Sequence, residues 1–242
     1  LKLLNASKID LEDVKRLTAL SDSEPSPGLG KQELFTFYKN RARANEQLAR
    51  YKQMEADCQK ELEFASSVDE VDDARMTCIN AAYHSGDPFK AIDLTKKAIA
   101  ALPPNSRYGW HLSYQMLLVN AYRILGDIES ARVALRDVDG IMVLLQRSPA
   151  WGEWGTHWTY QAERARGDFL MTAGNPVAAE LSYIRALAAI EKRYEAFQRG
   201  EYGKSTRRVH TKEGILFSKN ILMMQLGYSL LAQRKLTQAE YQ

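Results

Sequence analysis

Cysteine is nearly absent: Cys58 and Cys78 are the two in 242 residues. Two are too few for a disulfide framework, and neither stands at a metal-ligand spacing. The four histidines, His84, His111, His157 and His210, are as sparse. They share no spacing of the His-x-x-x-His kind, so no metal and no cofactor is expected. Charge of one sign is lacking too. With 33 basic and 30 acidic residues the net charge is +3, which makes no case for a nucleic acid or a membrane surface as partner. No apolar run approaches the roughly 18 residues that cross a bilayer, so no membrane span is expected. Proline is confined to Pro25, Pro27, Pro88, Pro103, Pro104, Pro149 and Pro176, all at predicted helix edges or in loops. No strand-like alternation of any length is present. What remains is an ordinary composition, 45% hydrophobic and 26% charged, with ample chain for one large core or a stacked array.

What is present is a phrase that occurs three times: SGDPFKAI at 85–92, LGDIESAR at 125–132 and AGNPVAAE at 173–180. Its glycine permits the positive φ that closes a helix. The following Asp87, Asp127 or Asn175 can cap the next helix by accepting from its free amides. Pro88 and Pro176 then fall at the first helical position, where no amide donor is needed. Taking Gly86, Gly126 and Gly174 as origins, weaker copies have Ala49 and Arg234 there. Five residues after the origins stand Met54, Ala91, Ala131, Ala179 and Ala239, and seven before stand Ala42, Ile79, Val119, Gly167 and Gly227. Tyr183 and Ala186, like Leu135 and Val138, continue one face of the second helix. The origins are 37, 40, 48 and 60 residues apart, so a hairpin is kept while its surroundings lengthen.

The pattern predicts an all-α chain with helices near 9–20, 32–48, 51–66, 70–85, 88–101, 107–125, 128–147, 153–173, 176–198, 211–233 and from 236. Residues 1–30 read as an N-terminal helix followed by a Pro/Ser/Gly linker at 21–30. Residues 31–242 read as the repeat array, its last hairpin truncated. The chain begins Leu-Lys-Leu-Leu and ends inside an apparent helix start, so both ends read as cut from a longer protein.

These hairpins resemble the tetratricopeptide repeat (TPR) family. The likeness is carried by EWGTHWTYQAERARGDFLMTAGNPVAAELSYIRALAAI, with Gly167, Leu170, Gly174, Ala179, Tyr183 and Ala186 in the family's places. SGDPFKAIDLTKKAIAALPPN adds Gly86, Ala91, Ala98 and Pro103, and QLGYSLLAQRKLTQAE adds Gly227, Leu230 and Ala239 without the turn glycine. Family repeats run near 34 residues; these are longer and irregular, and in that they are similar to the arrays that precede caspase-like CHAT domains of bacteria. The resemblance implies a right-handed superhelical solenoid of about five hairpins. It also implies a non-catalytic scaffold or sensor region of a larger bacterial protein that binds a protein or peptide in its concave groove. An alternative is a regulatory array controlling a CHAT protease domain outside this chain.

In that family the first helices line the concave side. Spacing then puts Lys39 and Arg43 of the first copy on that face. Met76, Asn80 and Tyr83 follow from the second, Met116, Asn120 and Arg123 from the third, and Arg164, Asp168 and Met171 from the fourth. Asn80 and Asn120 each stand six residues before their turn glycine, where the family often binds a peptide backbone. An Asn offers both a donor and an acceptor, and Arg43, Arg123 and Arg164 would favour a carboxylate nearby.

Other candidate chemistry is thinner. GEYGKST at 200–206 has two residues between its glycines, where a phosphate-binding loop needs four before Gly-Lys. Cys58, four residues after Met54, and Cys78, eight before Gly86, fall at packing positions where cysteine serves as a small hydrophobe rather than a nucleophile. Trp158 is expected to fill the core between helices. Trp151 and Trp154, in the connection before it, are expected to cover the helix at 128–147; the alternative is an exposed binding patch. The basic stretch 198–214 reads as a solvated loop; its alternative is a phosphate contact, which would make the chain a nucleic-acid-responsive module.

Overall fold

Glycine, proline and capping side chains set the helix boundaries. The structure, a computed structural model, describes residues 11–104, 106–202, 211–235 and 238–239. Among the described residues there are ten α-helices and no strand: α1 (Leu11–Ser21), α2 (Lys31–Gln47), α3 (Tyr51–Phe64), α4 (Val68–His84), α5 (Pro88–Ala100), α6 (Tyr108–Ile124), α7 (Ile128–Gln146), α8 (Trp151–Thr172), α9 (Pro176–Gln198) and α10 (Lys212–Ala232). Each lies within two residues of its predicted segment at both ends. The segment predicted from 236 and the middle of the basic loop at 198–214 lie mostly outside the described residues.

The turn residues have the geometry assigned to them. Gly86, Gly126 and Gly174 take φ of 84°, 74° and 77°, and Ala49 and Arg234 are held at 55° and 61°. After each, the next amide donates to the carbonyl five residues back. Arg50 reaches Asn45 at 2.8 Å, Asp87 reaches Ala82 at 3.0 Å, Asp127 reaches Tyr122 at 2.9 Å, Asn175 reaches Leu170 at 2.9 Å and Lys235 reaches Leu230 at 2.9 Å. That bond satisfies a carbonyl the helix end would otherwise strand. The caps are also in place: Asp87, Asp127 and Asn175 accept from the amides of Lys90, Ser130 and Ala178 at 2.9, 3.0 and 3.1 Å. Gly200, not anticipated as an origin, closes α9 in the same way at φ 74°.

The drift in spacing has a simple source. The helices preceding the first three turns, α2, α4 and α6, are 17 residues each, while α8 has 22. The helices that follow the turns run 14, 13, 19 and 23 residues in α3, α5, α7 and α9.

The chain divides into two compact units, Leu1–Ala100 and Ala101–Gln242. In the first, consecutive helices α1 to α5 pack in pairs and α2 also meets α4. Ala42, Met54, Ile79 and Ala91, placed by register, are all buried. Cys58 of α3 and Cys78 of α4 are buried as expected, but they are joined in a disulfide. A polar network ties α1 down. Asp57, 1% exposed, accepts from the Arg41 guanidinium at 2.7 Å and from Asn45 at 2.8 Å. Asn45 accepts from the Ser21 hydroxyl at 2.6 Å, and Arg41 donates to the Ser23 carbonyl at 2.7 Å. The segment read as a linker is thus fastened at its start.

In the second unit α6 to α10 pack consecutively, and α8 also meets α6 and α10. Gly167 of α8 is needed for close approach. A Cβ there would lie 2.4 Å from the Tyr183 ring of α9. Tyr183, Ala186 and Ile190 of α9 join Ile215, Leu222, Leu226 and Leu230 of α10 in one core. By length and composition α10 is long and apolar enough to cross a membrane; its Ile215, Leu222, Leu226 and Leu230 are buried in the core shared with α9, while Phe217, Met224, Tyr228 and Leu231 are exposed.

Candidate binding site

Six of the side chains assigned to the concave face are in the second unit, and four of them line one cavity. It measures about 260 Å³ and is bounded by Met116 and Asn120 of α6, Gln161, Arg164 and Asp168 of α8, and Phe217 of α10. The α8 residues follow at three and four positions, one face of a helix. Met171 packs against the unit's core instead. Arg123, one turn on from Asn120, donates to the Thr172 hydroxyl at 3.4 Å.

Asp168 is the electrostatic centre. It is 8% exposed and accepts from the Tyr183 hydroxyl at 2.8 Å and from the Gln225 amide at 2.7 Å. Arg164 Nε lies 4.0 Å from its other oxygen. Burial holds the Asp168 carboxyl above the usual carboxylate range, against the pull of Arg164, Tyr183, Arg123 and Gln225. Burial, with the Asp168 charge, pushes the Tyr183 phenol up as well. For Arg164 burial works against the charge, but Tyr160 and Asp168 outweigh it and the pKa is raised. Around this centre Asn120 Oδ1, Arg123 Nε, Gln161 Oε1, Arg164 Nε and Gln225 Oε1 are shielded from water and have no hydrogen-bond partner among the described residues. So many unpaired polar atoms in one place is unusual, because buried polar groups normally find partners.

In the first unit the assigned residues are less gathered. Lys39 pairs with Asp73 and lies over the Phe35 ring, 5.5 Å from its centroid. Arg43 is exposed, and Met76, Asn80 and Tyr83 are half-buried. Tyr83 meets His84 edge-on at 5.3 Å, and His84 stacks on Tyr51 at 5.4 Å.

The residue that sequence reasoning missed is Glu61. It is fully buried, accepting from the Thr77 hydroxyl at 3.3 Å while its second oxygen has no hydrogen-bond partner among the described residues. Burial pushes its carboxyl up to about 7, although Thr77, Lys39 and Arg43 favour the charge; Asp73 opposes it. A signal existed: Glu61 stands twelve residues after the turn residue Ala49, where Ala98, Val138 and Ala186 are buried in the other copies.

The tryptophans need a correction. Trp158 is buried as expected, but Trp151 and Trp154 belong to the first turn of α8 rather than to a connection. They flank Trp158 at ring distances of 6.1 and 6.3 Å, and Trp151 lies against Gly155.

The two sulfurs are bonded to each other. Among the described residues no three His, Cys, Asp or Glu side chains are grouped to hold a metal. The chain matches no protein-family model and no curated protein.

Proposed function

We propose that this chain is a non-catalytic peptide- or protein-binding scaffold or sensor region. In this reading the hairpins form a right-handed TPR-like solenoid of about five repeats, and the first helices present a concave binding face. Asn80 in the first unit and Asn120 in the second each offer a paired donor and acceptor to the backbone of an extended peptide. The observation that carries the reading is the convergence of Asn120, Arg164 and Asp168, chosen from the family resemblance and the register, on one cavity with Met116. A polar cluster with apolar walls is the usual make-up of a recognition pocket.

Panning a random-peptide library against the purified protein tests it. Selected peptides bind wild type, and Asn80→Ala with Asn120→Ala abolishes capture while the helical circular dichroism is unchanged. Absence of any enriched peptide, or capture indifferent to the double substitution, refutes the reading.

A further inference from the structure

Helix α10 has two apolar faces. One, through Ile215, Leu222, Leu226 and Leu230, is buried in the core shared with α9. The other carries Phe217, Met224, Tyr228 and Leu231, which are 54%, 52%, 57% and 47% exposed. Their spacing of seven, four and three residues sets them on one side of the helix. The same register meets a neighbouring helix in the copies before it. Counted back from the turn residue, Met224, Tyr228 and Leu231 match Met116, Asn120 and Arg123 of α6, and Arg164, Asp168 and Met171 of α8. There Arg123 reaches Thr172 of α8, and Asp168 accepts from Gln225 of α10. This face of the hairpin's first helix therefore receives a helix, and in α10 it is apolar where the earlier ones are largely polar.

The stripe is also symmetric along its length. Phe217 and Leu231 each stand seven residues from Met224, and the exposed Glu213 and Arg234 stand eleven before it and ten after it. Between those two charges the one ionic side chain is Lys219, which pairs with Glu191 of α9 at 3.5 Å. Such a helix complements itself when a second one runs antiparallel, because apolar positions then meet apolar positions and each negative end meets a positive one.

We propose that this face is an isologous dimer contact, covered by α10 of a second copy of this chain running antiparallel across a two-fold axis at Met224. Phe217 of one copy comes level with Leu231 of the second copy, beside a hollow of about 430 Å³ lined by Met223, Met224, Gly227, Tyr228 and Leu231. Glu213 comes beside Arg234 of the second copy, and the symmetry makes that pair twice. Large side chains carry roughly 200 Å² each, so four half-exposed ones remove roughly 400 Å² per copy from water. That is about half of one side of a standard interface, which fits association on the order of micromolar rather than tighter. The competing occupants make no use of the symmetry. A lipid surface is indifferent to the order of the stripe, and crossing a bilayer would strip the opposite face of α10 from α9. A single peptide has no need of opposite charges set almost equally far from the centre.

Sedimentation velocity of the whole chain from about 1 µM to about 300 µM reads the association. Wild type is expected to pass from monomer to dimer across that range. Met224→Arg sets two like charges at the axis and is expected to weaken the dimer by about tenfold or more, with the helical circular dichroism retained. Glu213→Arg or Arg234→Glu alone is expected to weaken it a few-fold, and the two together to restore it, which a merely destabilised variant would not do. A chain that stays monomeric throughout, assembly that continues past the dimer, or association indifferent to Met224→Arg overturns the proposal. So does a double charge exchange that dimerises no better than its single parents. Flotation of a monomeric chain with neutral lipid vesicles would assign the face to lipid instead. None of these outcomes bears on the peptide panning, whose two substitutions lie on α4 and α6.

Discussion

Glu61 puts an ionisable group where its register companions put alanine or valine, and the cost depends on pH. Its folded pKa, near 7, lies above the ordinary 4.5. Between those values the folded chain binds more protons than the unfolded one, so stability falls as pH rises through that window. It is full below about 4.5 and reaches its floor above about 7. The difference corresponds to about 3 kcal/mol as an upper figure. Lys39, Arg43, Asp73 and Thr77 are the groups that act on it. Glu61→Gln should flatten this slope: chemical denaturation at pH 5 should give near-equal stabilities, and at pH 8 the variant should be the more stable. A wild-type advantage at pH 8 would contradict the assignment. The slot of this residue was legible in the sequence, because counting from Ala49 places it on the core face. Its consequence was not. Whether a buried carboxylate is partnered depends on side chains of α2 and α4, which the register of α3 does not fix.

At the scale of the element, the helix boundaries at the hairpin turns followed from turn chemistry, and they did so even where the glycine is missing. Ala49 and Arg234 occupy the left-handed region because the closing bonds from Arg50 and Lys235 demand it. A side chain in that region costs roughly 1–2 kcal/mol, partly offset because glycine loses more chain entropy on folding. Ala49→Gly is therefore expected to raise the thermal midpoint, with a gain of about 0.5–1 kcal/mol. The reverse change, Gly126→Ala, should cost about as much, measured by denaturant titration. What the sequence did not disclose at this scale was the start of α8. Gly152 and Gly155 argue against a helix there by propensity, yet the Trp151 ring fills the space a Cβ of Gly155 would need. Tertiary packing of three tryptophans outweighs two weak helix formers. The disulfide was hidden for a related reason. Cys58 and Cys78 were each placed at packing positions, but only the pairing of α3 with α4 brings their Cα atoms to 5.2 Å.

For the molecule as a whole, that bond is the one covalent link between helices among the described residues. It closes a loop of 20 residues, for which loop-closure entropy corresponds to about 3 kcal/mol. Cys58→Ala with Cys78→Ala should lower stability by about that amount. Hydrogen exchange should lose protection in α3 and α4 while α8 and α9 keep theirs. Uniform loss across the chain would contradict a local role. Such bonds persist in oxidising surroundings and open in reducing ones, so the compartment decides whether the first unit is cross-linked at all. There is also a tensile consequence. Helical hairpins under load lengthen by paying out unravelled chain, yet the segment between Cys58 and Cys78 cannot extend while the sulfurs are joined. At about 3.5 Å per extended residue, some 70 Å of slack stays locked, and oxidation state sets how far this part of the chain can stretch.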